Sequence, residues 1–129
     1  RSQKNPVYYV QYAHARLYSI LSKIKNQKSK IKITNQNLKL LSSKADLDLI
    51  RKLVEYPEIL ADVAINYEVH RLPRYALELA REFHNFYEKE RVITEDKNLT
   101  STRLVLVTAT KIVLASALNL MGIKAPDKM

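Results

Sequence analysis

One glycine and four prolines in 129 residues leave this chain almost no material for tight turns. A fold of many short strands needs such turns at regular intervals, so the shortage favours helices before any pattern is read. Hydrophobic residues make up 47% and charged residues 27%, the mix of a globular chain rather than a disordered or fibrous one. The length suits one domain, residues 1–129, with a single core. The absence of cysteine removes disulfides and thiolate zinc sites and fits a reducing cytoplasm. No signal-peptide pattern is visible.

The apolar positions fall at helical spacing. Pro6 starts the first segment, where its missing N–H costs nothing, and Val10, Ala13, Leu17, Ile20, Leu21 and Ile24 form one face. Residues 26–44 are polar, lysine-rich and weakly patterned, and read as a long connection or a frayed helix end. Ser43 and Asp46 have the spacing of a capping box and open a second helix through Leu49, Ile50, Leu53 and Val54. Pro57 ends it and begins a third, with Ile59, Leu60, Val63, Ala64 and Tyr67 inside. Pro73 opens a fourth, on which Ala76, Leu79, Ala80, Phe83 and Tyr87 share a face. After a polar loop at 91–98, the last helix runs from about Leu99 to Met121, with Gly122 as a left-handed cap.

That last segment is rich in Val, Ile and Thr, which also suits a strand. Its length without a breaker decides for a helix buried on most sides. Lys111, Asn119 and three hydroxyl residues between Leu104 and Met121 argue against a membrane span. The expected architecture is all-α, a bundle of about five helices with this segment at its centre.

Charge is distributed unevenly. Net charge is +9, yet residues 1–44 hold ten Lys or Arg and no acid, and the first carboxylate is Asp46. Such a one-sided field attracts polyanions; a lysine-rich solvated surface has the same composition. Of the three histidines, His14, His70 and His84, only His84 has a carboxylate at i+4 (Glu88) and none has a second histidine at i+3 or i+4, too few ligands for a metal face. With one glycine there is no phosphate-cradling loop, and no serine sits in a nucleophile elbow. No catalytic constellation is expected.

On the first helix, Tyr9, Tyr12, Arg16 and Lys23 fall within an arc of about 60°, beside the apolar stripe. Aromatic rings and cations on one stripe can stack unpaired bases and bind phosphate. They can equally cover the rim of the core with their hydroxyls in water.

Three blocks carry a resemblance. The run NPVYYVQYAHAR (Asn5 to Arg16), the run LPRYALELAREFHNFYEKERVI (Leu72 to Ile93) and the closing run from Leu99 to Met129 are similar to the carboxy-terminal, DALR-type anticodon-binding domain of arginyl-tRNA synthetases. The blocks occur in family order and reach both ends of the chain. The resemblance implies an all-helical bundle of the class I synthetase type that grips the anticodon loop of tRNA-Arg. The central base of every arginine anticodon is C, so one cytosine pocket serves all isoacceptors. Tyr9, Tyr12, Arg16, Tyr87 and Met129 match positions that shape the loop site in the family, and Arg91 is a further candidate for a phosphate. Asp127 and Lys128 replace the more usual acidic-arginine pair before the terminal methionine.

The same resemblance implies that the fragment itself is non-catalytic and carries no cofactor. The full protein is expected to be a cytoplasmic, monomeric arginine-tRNA ligase using ATP and magnesium, with its catalytic and amino-terminal domains outside this sequence. Its partners are tRNA-Arg and the catalytic domain of the same chain, with no membrane. Two rivals stand beside it: the related domain of another class I enzyme, the cysteinyl one above all, and a basic helical module that binds acidic proteins or membrane instead of RNA.

Overall fold

The computed structural model describes residues 5–23 and 38–129. Five helices are present among them: α1 (Pro6–Lys23), α2 (Lys44–Val54), α3 (Tyr56–Asn66), α4 (Arg71–Lys89) and α5 (Lys97–Leu120). The expected all-α bundle is observed. Residues 24–37, which include Ile24 and most of the lysine-rich connection, lie outside the described residues. Its last residues form a turn that seats Leu41 in the core.

Local chemistry sets the helix ends. The Ser43 side chain accepts from the Asp46 amide, and the Asp46 carboxylate accepts from the Ser43 amide, so the capping box opens α2 as its spacing predicts. Pro57 occupies the first turn of α3. The Asp96 carboxylate accepts from the amides of Asn98 and Leu99, which starts α5 two residues earlier than its apolar pattern does. At the far end Gly122 adopts φ 72°. There Gly122 N–H reaches Asn119 O at 3.0 Å and Ile123 N–H reaches Leu118 O at 2.8 Å, a Schellman closure that reverses the chain.

Two expectations need correction. Helix α4, not α5, is the centre of the bundle: it packs against all four other helices. Its buried residues are Leu72, Tyr75, Ala76, Leu79, Ala80, Phe83 and Phe86, large side chains alternating with alanines that let neighbours approach. Helix α5 is the more apolar, and by length and composition alone it could cross a membrane. It nevertheless leaves Ile112 and Thr108 exposed, because α1, α2 and α4 cover only one broad side of it. Its threonines fit a helix since Thr102, Thr108 and Thr110 each donate to the carbonyl four residues back.

The second correction concerns α3. Ala64 and Tyr67 are exposed rather than inside. Asn66 ends the helix, and Tyr67 caps it in the left-handed region at φ 59°. That conformation swings its ring off the helical face, and it is 84% exposed.

Among the described residues, buried polar side chains are paired. Arg103 of α5 is 7% exposed and Asp46 0%. Its Nε and Nη2 donate to the two Asp46 oxygens, both at 3.2 Å, while Nη1 donates to Arg91 O at 2.8 Å and Nη2 to Glu90 at 3.3 Å. One guanidinium thus joins α5, the start of α2 and the chain leaving α4. Tyr75 stacks on Tyr56 at 5.4 Å, and its hydroxyl donates to Lys52 O, satisfying a carbonyl at the end of α2.

Candidate functional site

A cleft of about 470 Å³ opens where the carboxy-terminal half of α1 meets the end of α4 and the tail beyond Gly122. Tyr12, Arg16, Ser19 and Lys23 come from α1, Tyr87 from α4, and Asp127, Lys128 and Met129 from the tail. Three cations face one carboxylate, so the cleft favours an anion. Its apolar surface comes from Ala15, Ile20, the two tyrosine rings and the half-exposed Met129. A flat ligand with an attached phosphate suits this combination.

Arg16 lies with its guanidinium 5.0 Å from the centre of the Tyr87 ring, while Phe83 stacks behind that ring at 5.9 Å. The cation is oriented by the ring, and the ring by the core. Tyr87 also forms the partition to a second cleft of about 430 Å³, where Ile20 and Lys23 recur beside Glu90, Arg91, Val92 and Ile93. Arg91 therefore stands in an adjoining space rather than with Tyr12 and Arg16.

Of the residues expected from sequence, Tyr12, Arg16, Lys23, Tyr87 and Met129 come together. Tyr9 does not line the cleft. Its ring meets His84 of α4 edge-on at 5.3 Å, and burial pushes its hydroxyl pKa up against the pull of Arg81. Tyr9 shares the arc of Tyr12, Arg16 and Lys23 but lies about 10 Å from Arg16 toward the start of α1, where its ring meets α4. At that level α4 closes over it.

Two further residues of α1, Gln11 and His14, reach the tail. Gln11 Nε2 donates to Lys124 O at 2.9 Å, and His14 Nδ1 lies 2.7 Å from Pro126 O. A carbonyl only accepts, so His14 carries a proton on Nδ1. Both residues hold the tail against α1. Their partners lie over a hundred positions away, and only their joint spacing of i, i+3 on α1 was visible.

The sequence pattern of the DALR anticodon binding domain matches residues 10–129. The chain belongs to this family. Arginine–tRNA ligase of Citrifermentans bemidjiense is 48% identical over 130 residues, covering 100% of this chain and 24% of that protein. The enzyme of the same name from Symbiobacterium thermophilum is 45% identical, again over 100% of this chain and 23% of its own length. The DALR chain described here thus spans about a quarter of these relatives. Among solved structures, Thermus thermophilus arginyl-tRNA synthetase superimposes with a TM-score of 0.79 at 30% identity, over 94% of this chain and 21% of that one. A putative arginyl-tRNA synthetase from Campylobacter jejuni gives 0.74 at 28% identity, over 97% and 27%.

His84 of the DALR bundle gives a test of the α1–α4 seam. Burial, and then the charge of Arg16, lower its pKa below the ordinary 6.5, and Glu88 only partly opposes them. The unfolded chain therefore takes up this proton at higher pH than the folded one. The stability it contributes is complete above 6.5 and declines as pH falls below that value. The His84→Gln variant is expected to lose less thermal stability than the parent between about pH 7.5 and about pH 5.5. Equal losses in the two proteins would show that His84 titrates alike in both states.

Proposed function

We propose that residues 1–129 form a single anticodon-reading domain of an arginine–tRNA ligase, and that the cleft takes bases of the tRNA-Arg anticodon loop, the central C among them. One observation carries the reading: Tyr12, Arg16, Lys23, Tyr87 and Met129, from three separate parts of the chain, line one space. Tyr12 and Tyr87 offer ring faces for splayed bases, and Arg16 offers directional donors to a base edge or a phosphate. Lys23 and Lys128 add charge. Arg91, beyond the Tyr87 partition, is placed for the next phosphate. Tyr9 supports the seam behind the site rather than touching RNA.

The complete protein, about four times this length on the scale of its relatives, is a cytoplasmic, monomeric class I ligase. ATP and magnesium act in its catalytic domain. Among the described residues no three His, Asp or Glu are grouped to hold a metal, and the single glycine makes no phosphate loop. These residues do not fit an ATP–magnesium site. The domain's part is to fix the anticodon end so that the acceptor end reaches the catalytic site. Phosphate contacts of the basic first third make the encounter salt-dependent.

The test is a pair of binding titrations at physiological salt, against an arginine anticodon stem-loop and against the same loop with its central C changed to G. The C loop is expected to bind more tightly. Alanine at Tyr12 is expected to erode that preference, and alanine at Lys28 or Lys30 to flatten the salt dependence without touching it. Equal affinity for both loops overturns specific anticodon reading.

A further inference from the structure

We propose that His14 and Gln11 are positioning residues, a two-point latch that builds one wall of the cleft by fixing the tail to α1. The proposal rests on the cleft being the RNA-binding site. Beyond Gly122 the tail has no regular structure, and Ile123 and Ala125 pack against the core. The residues that follow each of them turn their carbonyls to α1, where Gln11 takes Lys124 O and His14 takes Pro126 O. Among the described residues these are the hydrogen bonds that hold residues 124–129 to the bundle.

The second bond stands one residue before the cleft. Asp127, Lys128 and Met129 follow Pro126 directly and form a wall opposite Tyr12 and Arg16. Free of the latch, three extended residues could move their ends by as much as ~10 Å, enough to open the cleft entirely. His14 is 3% exposed between Ala13 and Ala15, both buried. An apolar side chain would satisfy such a packing position. A ring N–H is needed there only because a carbonyl must be bound.

The experiment is a double-mutant cycle on the 129-residue chain. His14→Leu removes the donor, and His14→Asn restores an N–H near the place of Nδ1. Each is combined with a tail in which Asp127, Lys128 and Met129 are all glycine. His14→Leu is expected to weaken stem-loop binding about five- to tenfold, the loss for one directional hydrogen bond, with most of it recovered in His14→Asn. In the glycine-tail background His14→Leu is expected to cost nothing further. A full loss persisting in that background would make His14 a packing residue and overturn the latch.

Backbone order parameters of residues 127–129 supply a readout independent of RNA. They are expected to fall from near ~0.85 to below ~0.6 in His14→Leu, with α1 unchanged. Unchanged values overturn the latch whatever the binding shows. A parent chain that binds no stem-loop, but loses tail order in His14→Leu, sinks the RNA reading and leaves the latch standing.

Discussion

Replacing Arg103 with methionine is expected to cost about 3–5 kcal/mol of folding free energy, a large share of the stability of a domain this size. The reason lies in what remains. Asp46 is 0% exposed, and without Arg103 its charge keeps a single amide partner, that of Ser43. A buried carboxylate so placed is far more expensive than the pair it came from. The Arg103–Asp46 pair is bidentate and shielded from water, so the small values typical of surface bridges do not apply.

Lysine at the same position keeps the charge but not the planar fork, and should recover only part of the loss. Urea denaturation of the three proteins measures it, and a loss below about 1 kcal/mol for Arg103→Met would reduce the pair to a surface bridge. The effect should reach the site as well. Arg103 holds Arg91 O and Glu90, and both residues line the second cleft. Even at temperatures where Arg103→Met stays folded, the wall beyond Tyr87 should be looser.

What could be read beforehand divides along physical lines. Helix positions were legible because burial repeats every three to four residues, and caps because Ser43, Asp46 and Gly122 act within a few residues of themselves. Partnerships across the bundle were not. Arg103 looks in sequence like a cation interrupting an apolar helix, and nothing local points to Asp46, 57 positions away. Apolar content is no measure of burial: α5 is the more apolar helix, yet α4 packs against all the others. Helix α4, with its charged outer face, makes the more contacts because its apolar face is sharper and carries small residues where helices cross.

The site shows the same division. Angle around α1 follows from numbering alone, and it puts Tyr12, Arg16 and Lys23 on the stripe that lines the cleft. Whether a neighbouring helix covers a given level of that stripe could not, and Tyr9 is where the omission showed. Tyr87 and Met129 were reached only through resemblance to a family. Their meeting with α1 depends on α4 passing alongside α1 and on the chain reversal at Gly122, neither of which has a periodic signature.

Alanine at Tyr87 is the variant expected to do most harm to RNA binding. Losing an aromatic platform costs about 1–3 kcal/mol, so affinity for the arginine stem-loop should fall about five- to 150-fold. Two further consequences push toward the upper end of that range. Arg16 loses the ring that orients it, and the partition between the two clefts disappears, so a base on either side loses its stop. Tyr87→Phe keeps the ring, its stack on Phe83 and the hold on Arg16, and should bind within about twofold of the parent.

Arg16→Lys tests the other half of the arrangement. It preserves charge, and so the salt dependence, but gives up the planar donors and the stacking, and should lose discrimination between C and G more than affinity. Tyr87 is half-buried against the core, so each variant must first show an intact helical spectrum and be titrated well below its unfolding temperature. A folded Tyr87→Ala protein that binds as tightly as the parent would move the RNA site off this cleft. A Tyr87→Phe protein as weak as Tyr87→Ala would shift the role from the ring face to the hydroxyl, and bases would then be held there by a hydrogen bond rather than by stacking.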